Sequence, residues 1–267
     1  MMDDREKSGL VIVATKPTNK AGQTAAEPVE PRTGTERNAG EHSTCRTQGR
    51  ASVSQALDRV RQAVKQRKKE KFTALFHHLS VDLLREAFFT LKRDAAPGVD
   101  GLTWEEYQVD EPRLIDLHAR LHRGAYRAQP SRRRMIPKPD GRERPLAVAA
   151  LEDKIVQKAT VAVLNVIYEE EFLGFSYGFR PKRGPHDALD ALIVGITRRK
   201  VNFILDADIR SFFDSVSQSW LVRFLEHRIG DRRIIRLIQK WLRAGILEDG
   251  IVTSNEMGTG QGSVITP

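Results

Sequence analysis

From residue 52 onward the chain mostly repeats apolar residues every three or four positions, and in a few places every second position. In SVSQALDRVRQAVKQRKKEKFTALFHHL, Val53, Ala56, Leu57, Val60, Ala63 and Val64 recur at helical spacing, with Ser52 or Ser54 available as cap and KQRKKEK as a cationic tail. SVDLLREAFFTLKRD predicts a second amphipathic helix capped by Ser80, and AAPGVDGLTWEEY a Pro-Gly and Asp-Gly loop before another helix start. LIDLHARLHRGAYRAQP continues helically, with Leu114, Leu117 and Leu121 in register. The period then changes. SRRRMIPKPDGRERPLAVAA predicts two short strands around a Pro-Asp-Gly turn. ALEDKIVQKATVAVLNVIYEEEF predicts a long helix with Ile155, Val156, Ala159, Val163, Val166 and Ile167 on or near one face. SYGFRPKRGPHDALDALIVGI predicts a loop and then a helix from about Pro185. VNFILDADIRSFFDSV is the most strand-like stretch and leads into a capped helix, SQSWLVRFLEHRIG. RRIIRLIQKWLRAGIL predicts the last helix, and GIVTSNEMGTGQGSVITP an extended, hairpin-like end. Helices outnumber strands, which makes the fold class α+β. Residues 1–50, polar and without a period after VIVAT, are expected to be a disordered tail.

Charge adds a partner class. Lys and Arg number 44 against 35 Asp and Glu, and the pI is about 9.8, a balance that suits a polyanion whose phosphates release counterions on binding. The hairpin arms concentrate Arg132, Arg133, Arg134, Lys138, Arg142 and Arg144. Such an arm is either a solvated edge that resists aggregation or a grip on phosphates. KQRKKEK leaves the same two readings open. Cys45 is the only cysteine, which excludes an internal disulfide and a thiolate zinc site. His77-His78 lack metal-ligand spacing and read as surface or packing residues. No apolar run reaches the roughly 18 residues of a membrane helix, and GLVIVAT follows acidic residues rather than a secretory n-region. No membrane partner and a cytoplasmic location are the expectations.

Two segments carry candidate chemistry. Strand alternation in VNFILDADIRSFFD puts Asp206 and Asp208 on one side after an apolar run expected to be buried. Carboxylates there need a partner: a turn or Arg210, or a divalent metal such as Mg²⁺, which leaves coordination positions for phosphate oxygens. GTGQGS could let backbone N–H groups approach an anion. Without a following Gly-Lys-Ser or Gly-Lys-Thr it is not a P-loop signature, and alone it is more often a turn.

In order along the chain, PGVDG, RRRMIPKPDGRERPLAVAALEDKIVQ, SYGFRP, ILDADIRSFFD and GTGQGSVITP resemble the reverse transcriptases encoded by bacterial group II introns, from about residue 53 to Pro267. The resemblance implies an RNA-directed DNA polymerase with a maturase role and a right-hand fold with fingers and a partial palm. It divides the chain into a tail (1–50), a helical RNA-binding extension (51–95), fingers (96–200) and the first part of the palm (201–267). It implies that Asp208 and the Ile209 carbonyl hold metal, with Asp208 catalytic. Phe213 would gate the sugar, Lys138 and Arg144 would hold the triphosphate, and Gln261 with Gly262 would floor the dNTP pocket. Asp206 and Asp214 are not ligands in that pattern and read as structural. The implied cofactor is Mg²⁺ in a two-metal site. The implied partners are group II intron RNA, an RNA template with DNA primer, dNTPs, and target DNA for the full-length protein. Arg61, Lys65, Arg67, Lys68 and Lys69, with Arg132, Arg133 and Arg134, are the expected RNA contacts.

One departure sets the expectation for activity. The Tyr-x-Asp-Asp turn that supplies the other two carboxylates of the family does not occur among the 267 residues. With one carboxylate of three, a two-metal centre is not expected to assemble, and the apolar run before Pro267, with no terminal cap, reads as a cut through a longer protein. The alternatives are an RNA-binding remnant without catalysis, or a retron or phage-defence reverse transcriptase, which PGVDG, SYGFRP and IPKPDGRERPL fit less well.

Overall fold

The structure, a computed structural model, describes residues 44–107, 111–137, 141–199, 201–254 and 257–262. The expected tail to residue 43 and the Pro-Asp part of the hairpin turn lie outside them.

The first helix, α1 (Thr44–Gln66), starts inside the stretch expected to be unstructured. Ser52 and Ser54 therefore sit within a helix rather than at its cap, and the Ser52 hydroxyl donates to the Gly49 carbonyl at 2.8 Å. The helix ends at Gln66, so most of KQRKKEK leaves it. The reason is visible at the far end of the chain. The buried guanidinium of Arg228 donates to the Arg67 and Glu70 carbonyls, pairs with Glu171 and lies over the Phe72 ring. The tertiary partner thus meets carbonyls that no longer continue the helix, and the Arg67 carbonyl also accepts from the Glu70 N–H in a turn.

Helix α2 (Val81–Phe89) begins where expected, with the Ser80 side chain accepting from the Leu83 N–H. A short helix α3 (Trp104–Tyr107) and α4 (Glu111–His122) follow. Helix α5 (Leu151–Tyr168) lies at the centre, in contact with α1 and α2, and α2 also meets α4. Leu114, Leu117, Leu121, Ile155, Val156, Ala159, Val163, Val166 and Ile167 are all buried, as their spacing predicts. Phe88 anchors one side, stacked on Trp104 with ring centroids 4.8 Å apart.

The α5 N-terminus is capped from a distance. Residue 150 is Ala, which has no capping oxygen, and the Asp100 carboxylate accepts from the Leu151 N–H at 3.3 Å instead. The PGVDG loop can come that close because Gly98 has no side chain: a Cβ there would meet the Ala149 and Ala150 backbone at 2.6 Å.

Strands β1 (Ser131–Pro137) and β2 (Glu143–Val148) form the predicted antiparallel pair, in register Arg132↔Val148 to Pro137↔Glu143. Past α6 (Pro185–Arg198), α7 (Phe212–Ser215), α8 (Gln218–Arg228) and α9 (Arg232–Arg243), two further strands complete a mixed sheet of order β2-β1-β3-β4. The last helix stops earlier than RRIIRLIQKWLRAGIL suggests. Gly245 turns at φ 78°, and Ile246–Glu248 becomes β3, parallel to β1 and antiparallel to β4 (Ile251–Thr253). Asp249 and Gly250 both have positive φ, the conformation a two-residue hairpin turn requires.

The strand expected over VNFILDADIR is absent: residues 201–209 have no regular structure and are exposed, Phe203 and Leu205 each at 91%. A β-run becomes a strand only when neighbours accept its N–H and C=O groups. Among the described residues no strand pairs with it. The expectation of a buried carboxylate pair fails with the strand.

Candidate active site

The residues assigned to the nucleotide pocket come from stretches distant in sequence, the turn before α8, strand β2 and the loop 258–262 that lies between those two. Ser211 adopts left-handed φ (52°), which reverses the chain and starts α7 with Phe212 and Phe213. The Phe213 ring is half-buried, 5.6 Å from the Phe212 ring in an edge-on arrangement. Its carbonyl accepts from the Thr259 N–H at 2.7 Å, and the Gly258 N–H donates to the Val216 carbonyl at 2.7 Å. On the other side of the loop, the Ala147 N–H of β2 donates to the Gln261 carbonyl at 2.8 Å. The loop thus staples α7 to β2. The Gln218 amide adds a bond to the Gly258 carbonyl at 3.0 Å.

Glycines make this staple possible. A Cβ on Gly258 (φ 81°) would lie 3.0 Å from the Phe213 and Asp214 carbonyl oxygens, and one on Gly260 2.7 Å from the Ala147 Cβ. At Gly262 a Cβ would come within 3.2 Å of Leu146 Cδ2. The glycines of GTGQGS therefore serve close packing against two elements, which answers the weak signal they give as an isolated pattern. Arg144 and Leu146 lie two residues apart on β2 and so share a face. Phe213, Gln261, Gly262 and the strand carrying Arg144 are brought together; Lys138 lies outside the described residues.

Asp208 and Ile209 stand just ahead of this assembly, on the exposed segment that precedes Ser211. Their exposure leaves both oxygen donors open to a hydrated cation. Among the described residues no group of three His, Cys, Asp or Glu could hold a metal ion. Asp206 and Asp214 are exposed as well.

The expected RNA contacts are divided by their ion pairs. Arg61 lies beside Asp58 and 3.9 Å from Glu170, Lys65 3.7 Å from Glu170, Arg67 3.7 Å from Glu70, and Arg133 3.3 Å from Glu248. Lys68, Lys69, Arg132 and Arg134 have no ion pair among the described residues. Arg132 and Arg134 project on the opposite face of β1 from Arg133.

Sequence reasoning missed the buried polar groups that hold the scaffold. Arg180 of SYGFRP is a clamp: it pairs with Glu169 at 3.1 Å and donates to the Leu173 and Ser176 carbonyls. Asp153 is buried and accepts from the Tyr126 hydroxyl and the Gln129 N–H. Burial pushes its carboxyl up to about 6, although those two bonds pull the other way. The signal was a charged residue at an inward position of a helix, Asp153 on α5, which requires partners.

Residues 136–267 match the family model described as reverse transcriptase (RNA-dependent DNA polymerase). The chain belongs to the reverse transcriptase family. Its relatives include a group II intron-encoded protein and further intron proteins. It is 35% identical to protein YkfC of Escherichia coli over 191 residues, 69% of this chain and 50% of that protein. It is 29% identical to the group II intron-encoded protein LtrA of Lactococcus lactis over 217 residues, 79% of this chain and 35% of that protein. It is 30% identical to the putative COX1/OXI3 intron 1 protein of Saccharomyces cerevisiae, over 70% of this chain and 22% of that one. The chain spans about half the length of the Escherichia coli relative and less of the other two. Among the described residues no helix is long and apolar enough to cross a membrane.

Proposed function

We propose that these residues supply the fingers and the first palm segment of an RNA-directed DNA polymerase of group II intron type, which also binds its intron RNA in a maturase role. The boundaries are a tail to 50, an RNA-binding extension 51–95, fingers 96–200 and palm from 201. The observation that carries the reading is the loop 258–262, which joins Phe213 to the strand of Arg144 through two backbone hydrogen bonds, from the Thr259 N–H to the Phe213 carbonyl and from the Ala147 N–H to the Gln261 carbonyl. That juxtaposition suits a nucleotide whose sugar rests against the Phe213 ring and whose triphosphate meets Arg144 and Lys138. Gln261 and Gly262 form the floor beneath the base.

Asp208 and the Ile209 carbonyl would hold Mg²⁺, with remaining positions left for phosphate oxygens and water. When bound, such ions lower the pKa of the attacking hydroxyl and offset the charge of the leaving pyrophosphate. Arg144 and Lys138 neutralise the triphosphate in the same site. RNA template, DNA primer, dNTPs and intron RNA are the partners this reading assigns, with target DNA for the longer protein. The cations Lys68, Lys69, Arg132 and Arg134 are the RNA contacts it favours, since a carboxylate beside a cation competes with phosphate.

A polypeptide of these 267 residues holds one of the three carboxylates of a two-metal site, so it is expected to bind RNA without extending a primer. Primer extension with RNA template, Mg²⁺ and dNTPs tests this, alongside RNA binding at rising KCl. Salt-sensitive binding with no incorporation supports the reading. Mg²⁺-dependent extension that Asp208→Ala abolishes would overturn the expected inactivity, and absence of salt-sensitive RNA binding would remove the RNA partner.

A further inference from the structure

A cleft of about 390 Å³ lies between α9 and the connection from α4 to β1, and its lining includes Arg127, Arg236, Lys240 and Arg243 but no carboxylate. None of these four belongs to the RNA contacts or the nucleotide pocket assigned above. Positions 236, 240 and 243 fall on one face of α9, at spacings of four and three residues. The opposite face, with Ile234, Ile235, Leu237 and Ile238, is buried in the core.

Gathering four cations without a counter-charge is unfavourable unless an anion compensates. Several exposed cations elsewhere in the molecule are neutralised within the chain, as Arg61, Lys65, Arg67 and Arg133 are. Here the protein orients the groups instead. Lys240 Nζ donates to the Tyr126 carbonyl at 2.5 Å and lies 3.4 Å from that of Gly124, and it sits 5.8 Å over the Tyr126 ring. The Arg236 Nε donates to the Arg232 carbonyl at 3.2 Å, which fixes the plane of its fork. The three arginines suit phosphate oxygens better than lysines would, because guanidinium presents paired donors.

We infer that the cleft between α9 and the 123–130 connection is a second RNA-binding surface, which takes the phosphate backbone of a structured RNA. The inference rests on the RNA partner proposed above and adds a site to it. Two observations favour a nucleic-acid backbone over other anions. On α9 the cleft's cations run from Arg236 to Arg243, about 10 Å at 1.5 Å per residue. Arg232, one turn before the cleft on the same face, extends the basic strip to about 16 Å, which is long for a single nucleotide. The apolar face of α9 is already buried, so the helix has nothing left to insert into a lipid surface.

The test uses the full chain and a fluorescein-labelled RNA stem-loop, with anisotropy read across a KCl series. Wild type is compared with Arg127→Gln/Arg236→Gln/Arg243→Gln and with Lys68→Gln/Lys69→Gln/Arg134→Gln. Lys240 is left intact because it holds two carbonyls, and thermal melting by circular dichroism checks that both variants fold. The α9 variant is expected to weaken binding at least about tenfold at low salt and to flatten the log–log salt slope by about 2, at roughly 0.7–0.9 for each phosphate no longer neutralised. Unchanged binding by the α9 variant, while the Lys68/Lys69/Arg134 variant weakens, would overturn the inference and leave the RNA partner standing. Loss of binding to phosphatidylserine vesicles with RNA binding intact would overturn it in favour of a membrane surface. No salt-sensitive binding by wild type would overturn both readings together.

Discussion

Two phenylalanines mark the two halves of this chain. Phe88 in α2 is fully buried and stacked on Trp104, while Phe203, in the run before Asp208, is 91% exposed. The same contrast holds for whole elements. Helices α1, α2, α4 and α5 cover one another's apolar faces and close a core. Helix α6 is as clearly amphipathic yet buries nothing, with Leu189, Leu192, Ile193 and Val194 about half exposed, and residues 201–209 beside it in sequence present five more large apolar side chains. Amphipathic pattern therefore fixes which face is apolar but not whether anything covers it.

The pair of phenylalanines gives the largest test. Phe88→Ala removes a buried ring and should lower unfolding free energy by about 3–5 kcal/mol. Phe203→Ala should change it by less than about 0.5 kcal/mol. Urea denaturation followed by circular dichroism measures both. A cost above about 1 kcal/mol at Phe203 would break the comparison, because it would mean that the run is packed in solution.

The next test concerns a buried charge in the closed half. The Asp153 carboxyl titrates near 6 when folded, against 3.8 as its ordinary value, chiefly because burial disfavours the ionised form. Between about pH 4 and 6 the folded protein keeps a proton that the unfolded chain has lost. Stability must then fall as pH rises through that window, by roughly 3 kcal/mol at ~1.4 kcal/mol per pH unit. Asp153→Asn removes the titration, although its amide group meets the Gln129 N–H less well. The stability of Asp153→Asn relative to wild type should climb from pH 4 to 6 and level off above. A flat difference would mean that Asp153 ionises freely.

What can be read from residues follows the same division. The periods of α2, α4 and α5 and the basic hairpin are legible because local pattern and tertiary burial agree there. VNFILDADIR misleads because strand formation depends on neighbours that its own residues do not specify. The end of α1 at Gln66 is hidden for a related reason: Arg228, far away in sequence, takes the carbonyls. The Asp249-Gly250 turn, by contrast, is a local hairpin signal between ILE and IVT, obscured only by the helical period that runs up to it. At the site, the loop 258–262 bonds through Thr259 to the Phe213 carbonyl and through Gln261 to β2. The reason for three glycines in the loop emerges only once β2 and α7 lie against it.

Two glycine substitutions sharpen the comparison at smaller scale. At Gly260 an added Cβ would press on Ala147 at 2.7 Å, so Gly260→Ala should cost about 1–3 kcal/mol as overpacking. Amide exchange should quicken at Ala147 and Thr259, whose N–H groups bond across the staple. Unaltered exchange there would show that the loop does not hold β2 to α7.

The smallest effect is expected in the open half. Gly195 lies inside α6, and a Cβ there meets no atom within 4 Å. Gly195→Ala should favour the helix by about 0.8–1 kcal/mol through backbone entropy alone. A helix that buries no residue opens without unfolding the core, so this gain belongs to local opening rather than to global stability. Amide exchange within 185–198 should slow by about fourfold, the equivalent of that free energy, with the urea midpoint unmoved. If the midpoint rose in step with the exchange, α6 would be part of the same cooperative unit as α5. The contrast between a closed and an open half would then describe surface area rather than stability.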